Sequence, residues 1–347
     1  MVELGISTFG ETTPLEGTGE VIAHDVRIRN MIEEMELADK VGLDIYAIGE
    51  HHREDFAVSA PEIIMAAGAV NTKNIKLSSA VTVLSSNDPV RVYQNFATVD
   101  ALSNGRAEVM VGRGSFIESF PLFGYSLSDY EELFDEKLDM LLNIRENEIV
   151  TWKGKHTQTI DAKGVYPRSK EELPVWVATG GNVESTLKIA HRGLPIVYAI
   201  IGGNPLAFKR LTDLYRKYGM QAGHSPEQLK IGSHSWGFIA DTTEEAVKKY
   251  FHPTKTLTDQ IAKERHHWSE LTYEQYLGSV GEHGAMFVGS PEDVAKKIIK
   301  VVEELGLDRF MLHLPVGSIP HEDTMKAIEL FGTKVAPIVR EYFNNKK

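Results

Sequence analysis

Short apolar runs alternate with longer amphipathic stretches along this chain, and that alternation constrains the fold more than any other feature. The short runs are rich in β-branched residues. Eight of them predict strands, at residues 3–9, 43–48, 75–83, 106–111, 174–178, 194–199, 230–239 and 309–314. Strands that alternate with helices are typical of βα units around a parallel sheet. Eight such units predict an α/β fold, the (β/α)8 TIM barrel.

The stretches between the strands have helical periodicity and clear start signals. Proline follows Ala60, Asp88, Asn204 and Ser290. Proline suits the first helical position because the backbone N–H that it lacks would have no partner there. Helices are predicted at residues 26–40, 61–70, 89–102, 128–146, 183–191, 205–218, 243–251, 291–305 and 321–343.

Two segments depart from the repeat. Residues 148–167 predict a surface hairpin inserted before strand five, and residues 252–287 are a long, polar and aromatic insertion before strand eight. Long segments of this kind often close over a site, so residues 252–287 are a candidate lid. Within them, His266 and His267 are expected to be exposed rather than metal ligands. A barrel with these insertions accounts for residues 1–347 as a single domain.

The composition excludes several classes of protein. The formal net charge is −12 and the basic residues form no cluster longer than a pair, so no nucleic-acid partner is expected. The chain has no cysteine, which excludes disulfides, zinc–thiolate sites and a cysteine nucleophile. There is no basic segment followed by an apolar one at the N-terminus, and no apolar run approaches about 18 residues. We therefore expect a soluble, cytoplasmic protein with no membrane partner.

The loop after the second predicted strand carries Glu50, His51 and His52, followed by Glu54 and Asp55. A TIM barrel keeps its chemistry on the loops that follow its strands, so this loop predicts an active site. His51 is the candidate acid–base residue, because an imidazole with a pKa near about 6.5 exchanges protons at neutral pH. His52 is expected to hold the loop. A metal site is the rival interpretation, but no His-Glu-x-x-His motif supports it, and we predict no metal.

Two further strand ends predict a site for an anion. Gly181 and Asn182 end the fifth strand and open a helix whose first turn carries Ser185, so backbone N–H groups, the helix dipole and a hydroxyl converge there. An ordinary helix N-cap formed by Asn182 is the alternative. Arg113 follows the fourth strand between two glycines and supplies a fixed positive charge, although a salt bridge at the barrel rim would explain it equally well.

The third strand has small side chains where barrel strands normally carry bulky ones. Ser79, Ala80 and Val81 lie at its end. Small residues leave room for a planar ring, whereas the alternative is a lightly packed strand. No Gly-x-Gly-x-x-Gly motif follows any strand, so a dinucleotide fold is not indicated.

Taken in order, these motifs resemble the bacterial luciferase family of flavin-dependent monooxygenases over nearly the whole chain. No single motif is decisive, but their order at the ends of successive strands is specific. The motifs are Glu50-His51-His52, Ser79-Ala80-Val81, Asp88-Pro89-Val90-Arg91, Leu102-Ser103-Asn104-Gly105-Arg106, Gly112-Arg113-Gly114, Phe123-Gly124, Gly181-Asn182-Val183-Glu184-Ser185, Gly193-Leu194-Pro195 and Val288-Gly289-Ser290-Pro291.

The resemblance implies a cofactor and the residues that hold it. Reduced FMN would bind at the barrel mouth, with its phosphate held by Arg113, Gly181, Asn182 and Ser185. Its ring would lie against Ser79, Ala80 and Val81. The family also implies a cis peptide bond between Ala80 and Val81. The bound flavin would react with O2 to oxygenate a small organic substrate, with His51 as the catalytic proton carrier.

The resemblance also implies partners and alternatives. Because no nicotinamide motif is evident, a separate flavin reductase is expected to supply reduced FMN, which makes the chain the oxygenase half of a two-component system. An oxidoreductase that uses the deazaflavin F420 shares the fold and is the alternative. A non-catalytic flavin-binding protein is a second alternative. Gly112 occupies the position of the luciferase reactive cysteine, so light emission is not implied.

A homodimer is the last expectation. The helices predicted at 61–70 and 89–102 carry apolar residues on more than one face, whereas a barrel helix needs one apolar stripe. Family members pair through these helices, which would make residues such as Phe96 part of the interface.

Overall fold

Eight parallel strands close into a barrel in this computed structural model, which describes residues 2–114, 116–264 and 269–346. The barrel strands are β1 (Glu3–Thr8), β2 (Ile45–Ile48), β3 (Lys76–Ser79), β5 (Ala107–Gly112), β8 (Val175–Thr179), β9 (Ile196–Ala199), β10 (Ile231–Ile239) and β12 (Arg309–His313). Each is hydrogen-bonded in parallel to the next in this order, and β12 pairs back onto β1. The predicted TIM barrel and all eight of its predicted strands are confirmed.

Four short strands lie outside this ring. They are β4 (Thr82–Val83), which pairs with β5, the antiparallel hairpin of β6 (Ile149–Trp152) and β7 (Ile160–Gly164), and β11 (Phe287–Gly289), which pairs with β10. The hairpin confirms the insertion predicted before the fifth barrel strand.

Helices surround the barrel, and those predicted to start at Pro61, Pro89 and Pro291 do so, whereas Pro205–Phe208 form a 3-10 turn that leads into a helix from Lys209. Asp88 accepts hydrogen bonds from the backbone N–H groups of Val90 and Arg91, and Ser290 accepts one from Asp293. The helices are α1 (His24–Lys40), α2 (Pro61–Asn71), α3 (Pro89–Ser103), α4 (Ser119–Leu122), α5 (Tyr130–Glu146), α6 (Val183–Arg192), α7 (Lys209–Gln221), α8 (Thr243–Glu264), α9 (Tyr273–Val280), α10 (Pro291–Leu305), α11 (His321–Leu330) and α12 (Ala336–Asn344). Among the described residues, none of the helices combines the length and the apolarity that crossing a membrane requires.

The structure corrects the prediction that a helix ends at residue 251 and an irregular segment follows. Helix α8 continues past Pro253 to Glu264, and α9 occupies part of the remainder. Proline usually ends a helix, but here the buried stripe of Tyr250, Leu257 and Ile261 continues on the far side of it. Tertiary packing of that stripe therefore maintains the helix. His266 and His267 lie outside the described residues.

Buried charges connect four strands at the N-terminal end of the barrel. Arg309 is almost fully buried, lies 2.7 Å from Glu3 and 2.8 Å from Glu108, and stacks 3.9 Å from the ring of Trp176. Lys76 lies 2.6 Å from Glu3. Burial opposes the charge of Arg309, but Glu108 and Glu3 favour it, and together they raise its pKa. This network ties β1, β3, β5 and β12 together below the site.

Glu108→Ala should lower the free energy of unfolding by about 3–5 kcal/mol, because it leaves Arg309 buried beside one carboxylate instead of two. Urea denaturation measures the change. Asp213→Ala is the control, since Asp213 pairs with Lys209 on the exposed face of α7 and should alter the free energy by less than about 0.5 kcal/mol. Equal losses in the two variants would contradict the structural role of the network.

Candidate active site

The loop after β2 is held at the barrel mouth by Glu50. Its carboxylate accepts hydrogen bonds from the backbone N–H of Val83 at 2.8 Å and from the side-chain amide of Asn87 at 3.1 Å. His52 lies against the same carboxylate at 2.8 Å. These contacts anchor the loop to the segment that follows β3, in keeping with the expectation that His52 holds the loop.

His51 is enclosed by aromatic rings. Its imidazole stacks on Phe56 with 4.3 Å between the ring centroids, and the centroid of the Phe9 ring lies 4.5 Å away. Phe116 approaches edge-on at 5.4 Å. Among the described residues, Nδ1 of His51 is buried without a hydrogen-bond partner. A buried, unpartnered nitrogen is unusual, and it marks a position where a ligand could form a hydrogen bond.

Burial lowers the pKa of His51 from its ordinary value to about 3. The charge of Glu11 acts in the opposite direction but does not offset the loss of hydration. The expectation that the pKa of His51 lies near the ordinary value of an imidazole is therefore wrong. At neutral pH His51 is uncharged, so it can accept a proton or a hydrogen bond but cannot act as a cationic acid.

Arg113 and Ser185 meet at the ends of β5 and β8. The guanidinium Nη2 of Arg113 donates to the hydroxyl of Ser185 at 3.0 Å. Asn182 caps helix α6 by accepting a hydrogen bond from the backbone N–H of Ser185 at 2.7 Å, so the N-cap interpretation also holds. The structure thus brings together a fixed cation, a hydroxyl and a helix N-terminus.

Glu131 occupies the other side of Arg113. Its carboxylate pairs with Nη1 of Arg113, and its side chain is 62% exposed. The rim salt bridge considered from the sequence is therefore present alongside the contact with Ser185. Because the glutamate is largely in solvent, an incoming anion can replace it at Arg113 without leaving a buried charge unpaired.

Glycines beside this site allow close packing. Gly181 has a φ of +97°, which side-chain-bearing residues rarely adopt, and a Cβ there would lie 2.5 Å from the ring of Phe208. A Cβ on Gly112 would lie 2.9 Å from the side chain of Val81. Gly112 therefore lets the end of β3 approach β5.

The segment Ser79, Ala80 and Val81 forms one wall of the mouth. The peptide bond between Ala80 and Val81 is cis, as the family resemblance implied. Ser79 is fully buried, and its hydroxyl donates to the carbonyl oxygen of Met110 at 2.8 Å and accepts from the N–H of Met110 at 3.0 Å. The Ser79 hydroxyl is thus already engaged with β5, and the surface of this wall is contributed by Ala80 and Val81.

Strand order explains why these groups converge. Strands β2, β3, β5 and β8 are consecutive neighbours in the barrel. Their carboxyl ends carry His51, Ala80, Arg113 and Ser185 in turn. In a TIM barrel these ends form the rim where active sites are found. The residues predicted from separate motifs therefore lie side by side.

Polar side chains that the sequence did not single out lie deeper in the same mouth. Ser7, Glu11, His234 and His313 are all buried. His234 lies between two serines within a strand and His313 ends the last strand, so the only sequence signal is a polar residue at an inward position. Among residues 2–114, 116–264 and 269–346, no three histidine, aspartate or glutamate side chains are arranged to hold a metal ion.

Arg53 was also missed by the sequence analysis. It lies 2.8 Å from Asp55, 2.8 Å from Glu118 and 2.6 Å from Glu264, and its guanidinium stacks on Phe116. A cavity of about 360 Å³ lies against these residues. Hydrogen bonding to Glu264, followed by the other two carboxylates, raises the pKa of Arg53 despite its burial. The arginine joins the loops after β2 and β5 to the end of α8.

A closed eight-stranded barrel with a buried imidazole and an arginine–serine corner on the same rim defines an α/β-barrel enzyme. Comparison with known families then identifies the group more closely. The sequence model of the luciferase-like monooxygenases matches residues 2–309. The chain belongs to that family.

Solved structures with the same fold include enzymes with two kinds of flavin cofactor. A monooxygenase from Streptomyces bottropensis, RslO1, superposes with a TM-score of 0.83 at 21% identity, over 97% of this chain and 99% of its own. The oxygenating constituent of 3,6-diketocamphane monooxygenase from Pseudomonas putida, in complex with FMN, has a TM-score of 0.77 at 19% identity and the same coverage. A coenzyme F420-dependent tetrahydromethanopterin reductase from Methanopyrus kandleri has a TM-score of 0.75 at 18% identity, again over 97% and 99%. At these identities the likeness establishes the fold alone.

The depressed pKa of His51 predicts how stability depends on pH. In the unfolded chain the imidazole takes up a proton below about pH 6.5, whereas in the folded protein it stays neutral down to about pH 3. Lowering the pH through this window therefore favours unfolding, with a limiting slope of about 1.4 kcal/mol per pH unit from His51. His51→Gln should remove that contribution in urea denaturation between about pH 7 and pH 5.

His283→Gln is the matched control, because His283 is exposed. It should leave the pH slope of the unfolding free energy as it is in the unmodified protein. An unchanged slope in His51→Gln would mean that the imidazole is protonated in the folded state, contrary to its enclosed position.

Proposed function

We propose that this chain is a monooxygenase that uses reduced FMN and O2 to oxygenate a small organic substrate. The observation that carries the proposal is the juxtaposition, on the same rim of the barrel, of the Arg113–Ser185 corner and the buried, unpartnered imidazole of His51. A phosphate and a planar reactive ring need those two environments side by side. The chain would act as the oxygenase component of a two-component system and receive reduced flavin from a separate reductase.

The residues present fit the FMN phosphate. Arg113 would hold two phosphate oxygens in place of Glu131, and the hydroxyl of Ser185 would donate to a third. The free N–H groups at the start of α6, beside Gly181 and Asn182, add the positive end of the helix dipole. Guanidinium, hydroxyl and helix N-terminus form a donor set suited to a dianion.

The ring would lie against Ala80 and Val81, with Ser79 holding that segment to β5 through its two hydrogen bonds. Reduced FMN would supply the electrons that activate oxygen. Around it, Phe9, Phe56 and Phe116 exclude water from the mouth. His51, neutral in this apolar surrounding, would accept a hydrogen bond from the reacting groups through Nδ1 and would hold a proton only in passing. The end of α8, within the segment predicted as a lid, would close over the mouth through the contact between Arg53 and Glu264.

A role as an F420-dependent oxidoreductase is the second candidate, because the reductase from Methanopyrus kandleri shares the fold over nearly the whole of both chains. Its cofactor also carries a phosphate, so the Arg113–Ser185 corner alone does not distinguish the two. A non-catalytic flavin-binding protein is less well supported, since the barrel is complete and His51 lies in the mouth.

Anaerobic titration of the purified protein with reduced FMN and with F420, followed by mixing with oxygenated buffer, tests the proposal. We expect saturable binding of reduced FMN. After mixing, oxygen consumption should precede the return of oxidised-flavin absorbance by a measurable delay. Tight binding of F420 without oxygen consumption would select the second candidate. Binding of neither cofactor would overturn both.

Arg113→Ala should weaken FMN binding by about 1.5–3 kcal/mol, the range for a lost charge-assisted hydrogen bond. Glu131→Gln should strengthen it, because the competing carboxylate loses its charge while its size is retained. Isothermal titration with FMN measures both changes. Glu132→Gln is a matched control, because Glu132 is the neighbouring exposed glutamate on α5 and pairs with Lys155 rather than with Arg113, and its effect should be small. An unchanged affinity in Arg113→Ala would remove Arg113 from the phosphate site.

The proposed homodimer involves α2 and α3 through their exposed apolar residues, and Phe96 is not among them. Phe96 is buried in the core of its own chain, so the expectation that it lies at the interface is wrong. Ile63 and Val70 are 68% and 66% exposed, and Leu102 is 48% exposed. Ile63, Ala67 and Val70 form a stripe at helical spacing on α2. A second copy of the chain would cover this stripe by two-fold symmetry.

Light scattering at micromolar concentration should give twice the chain mass of 38.7 kDa. Ile63→Glu should shift the mass toward that of one chain, because it places a charge on the apolar stripe. Met220→Glu is the control, since Met220 is similarly exposed but lies on α7. A mass equal to that of one chain for the unmodified protein would contradict the proposed homodimer.

A further inference from the structure

Four buried side chains form a continuous hydrogen-bonded chain inside the barrel. His234 Nε2 lies 2.7 Å from the hydroxyl of Ser7. That hydroxyl lies 3.3 Å from Nδ1 of His313. Nε2 of His313 lies 2.6 Å from a carboxylate oxygen of Glu11. The chain runs from β10 through β1 and β12 to the loop after β1, and none of its members belongs to the proposed phosphate site or ring wall.

The inner end of this chain lies next to the aromatic enclosure of His51. The ring of Phe9 stacks on His234 at 5.8 Å and lies 4.2 Å from His313. The same ring lies 4.5 Å from His51. The ring of Phe9 therefore lies next to all three imidazoles. The centroids of His234, His313 and His51 all lie within 5.8 Å of the centroid of Phe9.

The outer end reaches a cleft on the outside of the barrel. Glu11 lines a small cleft together with Arg27, Glu34 and His321, and His321 is 26% exposed there. Arg27 pairs with Glu34 at 2.6 Å and donates to the hydroxyl of Thr8 at 2.9 Å. The cleft is polar throughout these contacts. Glu11 is thus the member of the chain that borders both the barrel interior and this polar cleft.

We propose that His234, Ser7, His313 and Glu11 form a proton pathway between the barrel mouth and the cleft lined by Arg27 and His321. Each link joins a group that can both donate and accept. A proton that reaches Glu11 can pass to Nε2 of His313 while the Nδ1 proton of His313 passes to Ser7 and the Ser7 hydroxyl proton passes to His234. One proton enters, one is delivered, and no charge remains between the two ends.

The charge states of the end groups agree with this direction of flow. Burial alone would raise the pKa of Glu11, but His313, together with hydrogen bonds and Arg27, lowers it, so Glu11 rests as a carboxylate and holds a proton from the cleft only in passing. Burial lowers the pKa of His234 to about 3, so a proton delivered to it passes on readily. A purely structural cluster would satisfy its own hydrogen bonds equally well, but it would not move protons.

The use of the pathway in turnover rests on the proposed function. The reduced FMN anion, O2, one proton and the substrate give oxidised FMN, water and the oxygenated product, so each turnover consumes one proton. The aromatic rings of Phe9, Phe56 and Phe116 that exclude water from the mouth also block a direct route for it. A relay through the barrel wall supplies the proton without admitting water. Ser7 and Glu11 are positioning residues in this scheme.

Hydrogen exchange at the imidazole N–H protons, measured by NMR on the flavin-free protein, tests the pathway without relying on activity. In Ser7→Ala the link between His234 and His313 is removed. The exchange of the His234 proton with water should slow by at least about tenfold, while that of His313 stays unchanged. Glu11→Gln, which keeps an acceptor for His313 but cannot take up a proton in the same way, should slow both.

Ser233→Ala is the matched control. Ser233 is a buried serine next to His234 on β10, and among the described residues its hydroxyl has no hydrogen-bond partner. It should leave both exchange rates unchanged. If Ser7→Ala slows neither histidine, exchange occurs by opening of the barrel and the pathway is wrong. Because this readout needs no flavin, it is independent of whether FMN binds, and failure of the FMN titration would overturn the proposed function while leaving the pathway intact.

Discussion

Parallel pairing of β12 with β1 is the contact on which the rest of the structure depends. Residues 3–7 align with residues 309–313, and this register turns an open sheet into a closed barrel. Closure brings every strand's carboxyl end to one rim and leaves no unpaired edge in the ring. It also joins the first and last strands of the chain, so that Ser7 and His313 meet although 306 positions separate them.

Closure has electrostatic consequences at both ends of the barrel. At the N-terminal end, Arg309 is buried but retains its charge because Glu3 and Glu108 surround it. In the mouth, His51 is buried among Phe9 and Phe56 with no hydrogen-bonded partner at Nδ1 among the described residues, and the charge of Glu11 does not offset the loss of hydration, so its pKa falls. The same loss of hydration therefore has opposite outcomes, and the presence or absence of a charged partner decides between them. An apolar mouth with neutral imidazoles beside a cationic corner suits a cofactor that has a planar ring at one end and a phosphate at the other.

The sequence predicted the barrel, its eight strands and the convergence of the strand-end motifs, because periodicity and motif order are local signals. It did not predict the length of α8, since Pro253 signals a helix end and only tertiary packing of Leu257 and Ile261 overrides it. The burial of Phe96, the engaged hydroxyl of Ser79 and the pairing of Glu131 with Arg113 all depend on neighbours that are distant in sequence. The same is true of the pKa of His51 and of the Glu11–His313 contact.

A crystal structure of the protein grown with FMN is the most direct test of whether the cofactor binds across the barrel mouth and the Arg113–Ser185 corner. We expect the phosphate to accept hydrogen bonds from Arg113 and Ser185 in place of Glu131. We expect the ring to lie against the Ala80–Val81 peptide within reach of Nδ1 of His51. FMN bound elsewhere, with Arg113 still paired to Glu131, would contradict it.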